Sequence, residues 1–180
     1  MERVAVYIDG SNFYFKARSF GVYNTQKFDY LGLAKKIAGE RECISLRYYI
    51  GVVKAKYDDQ KGQELRKGQQ KLFSHLRNQG FIIKKGYLMQ NNNKFHEKGV
   101  DVKLAVDLLV GAYENIYDTA ILISSDTDLI PAISKVKHLD KKIEYVGFSH
   151  QPSLGMQKYA NLSRLLTKED LEPFTCKTLF

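Results

Sequence analysis

Cysteine is scarce in this chain. It occurs only at positions 43 and 176, in no CxxC pair and beside no histidine cluster. That excludes a disulfide scaffold and argues against a structural zinc site, leaving two free thiols in a reducing compartment. No apolar run approaches the roughly 20 residues of a membrane-spanning helix. The chain opens Met-Glu-Arg and enters a strand pattern at Arg3, with no signal-peptide pattern before it, so a cytoplasmic location is expected. There is no GxGxxG or GxxxxGK[ST] phosphate loop, no internal repeat and no low-complexity stretch. No serine or cysteine is set beside a base that would activate it as a nucleophile.

Positive charge is abundant instead. The net charge is +8, and it is unevenly spread. Between Lys54 and Lys85 nine Lys or Arg stand against three acids, so this segment alone carries +6. A basic face of this kind suits a polyanionic partner. Lys54, Lys56, Arg66, Lys67 and Lys71 are the side chains expected to hold a nucleic-acid backbone. The competing reading is a Lys-rich helix face that is merely solvated.

Apolar periodicity alternates between two kinds of element. Strand patterns cover Arg3 to Ile8, Ile44 to Val53, Phe81 to Leu88, Thr119 to Ser124 and Lys142 to Phe148. Helical spacing covers the stretch after Gly10, Tyr30 to Ala38, Asp58 to Gln79, Gly99 to Tyr113 and Asp126 to Leu139. Ser11 or Asn12 is the expected cap of the first helix. Pro131 falls in the early turns of the last, where proline is tolerated. The Asn-rich stretch Gln90 to Lys98 reads as a mobile loop. Short helices are expected after Pro152 and after Thr167. Strands alternating with helices predict an α/β fold: a three-layer α/β/α sandwich on a mainly parallel sheet. The 180 residues favour one domain, with a core over about 3–148 and a C-terminal extension over 149–180.

Four segments gather the chemistry: YIDGSN (Tyr7 to Asn12), KGVD (Lys98 to Asp101), DLL (Asp107 to Leu109) and SSDTD (Ser124 to Asp128). Asp9 and Asp126 close strands. Asp101 and Asp128 sit in first helical turns. Each has a local explanation, as turn former, cap or partner of the helix dipole. Their joint placement at the carboxyl edge of one sheet has none, and that edge is where α/β folds bind ligands. Carboxylates without Cys or His suit Mg²⁺ or Mn²⁺. Asn12, Ser11, Ser124, Ser125 and Lys98 are placed to help at the same edge, through a metal-bound water or a substrate phosphate. Asp107 lies six residues beyond Asp101, about 120° round the helix at roughly 100° per residue. The two cannot both point straight into one pocket, and an ion pair between Asp107 and Lys103 is the local alternative. Phe13, Tyr14 and Phe15 offer either core or a base-stacking face, and Tyr48, Tyr49 and Tyr57 are equally ambiguous. His96 and His150 read as exposed.

YIDGSNFY, KGVDVKLAVDLL and SSDTDLIPAI resemble the three signature blocks of the NYN domain, in its LabA-like branch, within the PIN-like nuclease superfamily. The resemblance runs from about Arg3 to Phe148. It implies a PIN-like, Rossmannoid sandwich and Mg²⁺- or Mn²⁺-dependent cleavage of RNA. The family's acids fall on Asp9, Asp101, Asp126 and Asp128, its asparagine on Asn12, and a further family position on Asp107. On this reading Asp9, Asp101 and Asp126 hold a metal and Asp128 completes that site or a second. The rival expectation is a PIN-like module that binds RNA or a protein with weak or no catalysis. A phosphatase of the haloacid dehalogenase type would need DxDx[TV] on the first strand, and Asp9-Gly-Ser lacks the second Asp. A homodimer is a further expectation, with the apolar Leu179-Phe180 tail as a contributor.

Overall fold

The computed structural model describes residues 1–53, 59–91 and 94–175, with the side chains of 88–97 set aside. Seven strands form one sheet: β1 (Arg3–Asp9), β2 (Glu42–Val52), β3 (Ile82–Asn91), β4 (Lys94–Lys98), β5 (Thr119–Ile123), β6 (Lys142–Phe148) and β7 (Leu162–Leu166). Their order is β4-β3-β2-β1-β5-β6-β7. Among the described residues six strands run parallel, and β4 alone is antiparallel, paired to β3. The expected α/β sandwich on a mainly parallel sheet is thus the observed fold.

Side-chain alternation makes the layers. On β1, Val4, Val6 and Ile8 enter one core while Ala5 and Tyr7 enter the other. The first core is covered by α1 (Gly10–Ser19), α2 (Tyr30–Ala38) and α3 (Gln60–Asn78) through Phe13, Ala17, Leu33, Ile37, Leu72 and Leu76, with Leu171 of the short α7 (Lys168–Leu171). The second is covered by α4 (Val100–Tyr113), α5 (Ile130–Lys137) and α6 (Leu154–Tyr159) through Leu104, Leu108, Ile133, Val136 and Met156. The chain builds β2, β3 and β4 outward from one side of β1, then returns through α4 to set β5 on the other side. The strand order therefore reverses between β1 and β5, and a crevice opens there above the strand ends.

Several expectations needed adjustment. The stretch expected as a mobile loop carries two strands where it is described: β3 runs on to Asn91, and β4 (Lys94–Lys98) pairs antiparallel with it, Tyr87 opposite Lys98. Polar residues suit such an edge hairpin, which needs a partner on one side only. The helix expected from Asp126 begins as a 3₁₀ turn over Thr127–Leu129, and regular α5 starts at Ile130 with Pro131 in its first turn. β7 extends the sheet into the stretch expected as an extension; its exposed first residues hide any alternation. On α3, Leu72, Phe73 and Leu76 are buried, whereas Leu65 is exposed.

Candidate functional site

Asp9 ends β1 at 6% exposure. Its Oδ1 accepts the backbone N–H of Asn12 at 3.0 Å, so Asp9 caps α1, and neither Ser11 nor Asn12 does. A carboxylate at this position satisfies a helix-terminal N–H and meets the positive end of the helix dipole. Gly10 lets α1 start this close to the sheet. A Cβ there would sit 2.7 Å from the carbonyl oxygen of Tyr49 and 2.8 Å from the Cζ of Tyr48, closer than such atoms can approach.

Across the strand-order reversal, the buried Ser124 hydroxyl donates to Oδ2 of Asp9 at 2.9 Å and accepts the N–H of Asp126 at 3.2 Å. One serine thereby ties the ends of β1 and β5 together. Asp126 caps the following turn, its Oδ1 accepting the N–H of Asp128 at 2.9 Å. Asp101 opens α4 opposite them. Its carboxyl is held above the usual range, first by partial burial and then by the negative charges of Asp126 and Asp128. The upward push reports that three acids from two separate segments share one neighbourhood. Among the described residues no ion pair reaches Asp101, Asp126 or Asp128.

Other expected residues are placed less directly. Asn12 is half-buried one turn into α1, and Ser11 beside it lines a cavity of about 460 Å³ with Gly10, Tyr14, Phe15 and Leu65. Ser125 turns to Tyr145, whose hydroxyl lies 3.1 Å away and also accepts the N–H of Ser153. Lys98 is exposed at the end of β4. Arg66, Lys67 and Lys71 are exposed on α3, and Lys54 and Lys56 lie outside the described residues, as do Tyr57 and the side chain of His96. Phe13 is core, as are Tyr48 and Tyr49, whereas Phe15 is 68% exposed. His150 packs on Phe20 and meets the hydroxyl of Ser19 at 2.5 Å.

Asp107 belongs elsewhere. Six residues of helix carry it about 9 Å along the axis from Asp101. There it takes the hydroxyl of Tyr49 at 2.7 Å, the guanidinium of Arg47 at 3.3 Å and the ammonium of Lys84 at 3.2 Å. Burial raises its pKa, but Tyr49 and Lys84 outweigh that and Arg47 adds to them, so the net shift is downward. The expected pairing with Lys103 is replaced by this set, because Lys103 reaches the backbone carbonyl of Lys85 instead. Tyr7 stacks on Tyr49 beneath Arg47, and burial pushes its hydroxyl up to about 12. Arg47, Lys84 and Tyr49 are partners the sequence did not disclose, since all three sit on strands far away in sequence.

A divalent cation fits this edge in chemistry: the donors are all oxygen, and the acids repel one another. Their spacing is looser than a formed site, because among the described residues no three His, Cys, Asp or Glu converge closely enough to hold an ion. A model of the NYN domain matches residues 3–162. The chain belongs to the NYN domain family. NYN domains are generally nucleases with a PIN-like fold, and the match takes in all four acids of the edge. A solved structure from Vibrio parahaemolyticus, described as a protein of unknown function, matches at a TM-score of 0.70 and 21% identity, over 94% of this chain and 95% of that one. At such identity the likeness speaks for the shared fold alone. An NAD-dependent persulfide reductase from A. fulgidus, with a TM-score of 0.24 at 8% identity over 92% of this chain and 39% of that one, carries no argument. No curated protein matches this NYN domain.

Proposed function

We propose that this NYN domain, as a member of the LabA-like branch, is a cytoplasmic ribonuclease that hydrolyses phosphodiester bonds with the help of Mg²⁺ or Mn²⁺. The observation that carries the reading is the link through Ser124: Asp9 and Asp126 stand on adjacent strand ends at the strand-order reversal, with Asp101 within electrostatic reach of Asp126 and Asp128.

Asp9, Asp101, Asp126 and Asp128 would hold the cation, which when bound lowers the pKa of a coordinated water and polarises the scissile phosphate. The protein's own work is positioning. Ser124 fixes the rotamers of the Asp9 side through a buried hydrogen bond, so that carboxylate is oriented before substrate arrives. The cap on α1 holds the other oxygen of Asp9 through the N–H of Asn12. Asn12, one turn on, offers an amide to a substrate phosphate. Arg66, Lys67 and Lys71 hold flanking phosphates without reading bases.

Single-stranded RNA incubated with the protein and Mn²⁺ is expected to be cut, and chelator or Asp9→Asn or Asp126→Asn to stop it. Cleavage that persists in both variants, purified beside wild type, overturns the assignment. Affinity should fall steeply with salt, and Arg66→Ala with Lys67→Ala should flatten the slope by about two phosphate contacts. A second reading, a module that holds RNA without cutting it, is favoured by the acids not converging as they stand. It requires undiminished RNA retention in chelator and no turnover with any divalent ion.

A further inference from the structure

Helix α4 is apolar on two sides. Val100, Leu104, Leu108 and Ala112 are buried against the sheet. On the outer side Val102, Val106, Val110 and Tyr113 are 66%, 49%, 42% and 60% exposed. At roughly 100° per residue these four fall within about 40° of the line through Val106. Valine in an exposed helix gains nothing locally, since its branched side chain lowers helix propensity. An outer face normally carries Lys, Glu or Gln. A contiguous apolar stripe there marks a surface that is covered in use.

We propose that a second copy of this chain covers it, through an antiparallel α4–α4 contact with its twofold axis at Val106. The stripe is complementary to itself about that point. Val106 meets the partner's Val106, and Val102 meets the partner's Val110. Tyr113 meets the partner's Gly99, which has a φ of +78° and nothing within 4 Å of where a Cβ would stand, so the ring has room. The exposed Lys98 meets the partner's Glu114, also exposed, which supplies charge complementarity at both rims. A twofold contact requires this matching of one patch with itself. Asp101 lies about 140° round the helix from Val106, the centre of the stripe, so the acid edge stays open. The antiparallel pairing sends the two acid edges to opposite ends of the dimer. The contact stands independently of what the acid edge does.

One helix pair covers less than the roughly 800 Å² per partner of a standard interface, so association should depend on concentration. Sedimentation velocity on the full chain, from low to several hundred micromolar, is expected to show the mass rising from 20.7 kDa toward twice that value. Val106→Lys should weaken association at least tenfold while leaving the far-ultraviolet spectrum and melting profile of a folded chain. Lys98→Glu should weaken it less, and adding Glu114→Lys to that variant should restore it. A wild type that stays monomeric throughout overturns the proposal, and so does self-association indifferent to Val106→Lys. Failure of the charge swap to restore association overturns the antiparallel register.

Discussion

The two ends of the sheet treat their acids in opposite ways. At the amino ends of the strands Asp118 is bound by Arg3 at 2.7 Å with Lys141 nearby, and Glu144, 1% exposed, lies between Arg41 at 2.9 Å and Arg164 at 3.3 Å. At the carboxyl ends Asp101, Asp126 and Asp128 crowd together, and among the described residues no ion pair reaches them. A paired acid stabilises its surroundings. A crowded set of acids costs stability, and proteins keep such sets where function needs them. Asp107 marks the boundary between the two regimes. It shares α4 with Asp101, yet Arg47 and Lys84 neutralise it and the Tyr49 hydroxyl donates to it.

The contrast can be broken from either end. The largest effect is expected at the carboxyl end: Asp9→Asn or Asp126→Asn should lower RNA cleavage on the order of 10³-fold, the scale of losing one essential electrostatic group, with little loss of folding stability. Initial rates at saturating Mn²⁺ check this. At the amino end Arg41→Ala should do the reverse. It removes the closer partner of a buried carboxylate and should cost about 3 kcal/mol in urea unfolding while leaving cleavage near wild type. Smaller is the response to metal. Mn²⁺ at roughly ten times its dissociation constant should raise wild-type stability by about 1.4 kcal/mol, read as a thermal shift, and Asp101→Asn should abolish the rise. Without metal, Asp101→Asn should be slightly more stable than wild type, by about a few tenths of a kcal/mol, because it relieves like-charge repulsion.

The last test is one of pH. Hydrogen bonds from the Arg3 side chain and backbone, with the guanidinium charge, hold Asp118 below its usual 3.8 in the folded state. A lowered folded pKa means that the stabilisation is complete above 3.8 and is lost as pH falls through the folded value. Wild type and Arg3→Gln should therefore differ in unfolding free energy at neutral pH and converge in acid. Equal offsets at every pH would remove Asp118 from the account.

Much of the candidate site's placement was legible because its residues lie next to local signals. Asp9 and Asp126 each follow an apolar strand run and precede a turn, so period and punctuation alone place them at strand ends. β4 and β7 were missed for a related reason. Short edge strands bury few side chains, and β7 begins with three exposed residues, so no alternation marks them. Ser124 could be placed at the edge, but not as the hydrogen-bonded bridge between two acids. That role depends on β1 and β5 being neighbours across more than a hundred residues.

By itself the sequence determined the alternation of strands and helices, the signature blocks and the four acids at strand and helix ends. These follow from periods of two and 3.6 residues and from capping chemistry, which are properties of adjacent residues. Only the tertiary structure decided which acids are neutralised. Charge pairing depends on side chains brought together from distant segments: Arg47 and Lys84 reach Asp107, and Arg41 and Arg164 reach Glu144, while Asp101 meets further negative charge. The same holds for the valine stripe of α4, whose exposure appears only once the sheet has claimed the opposite face of that helix.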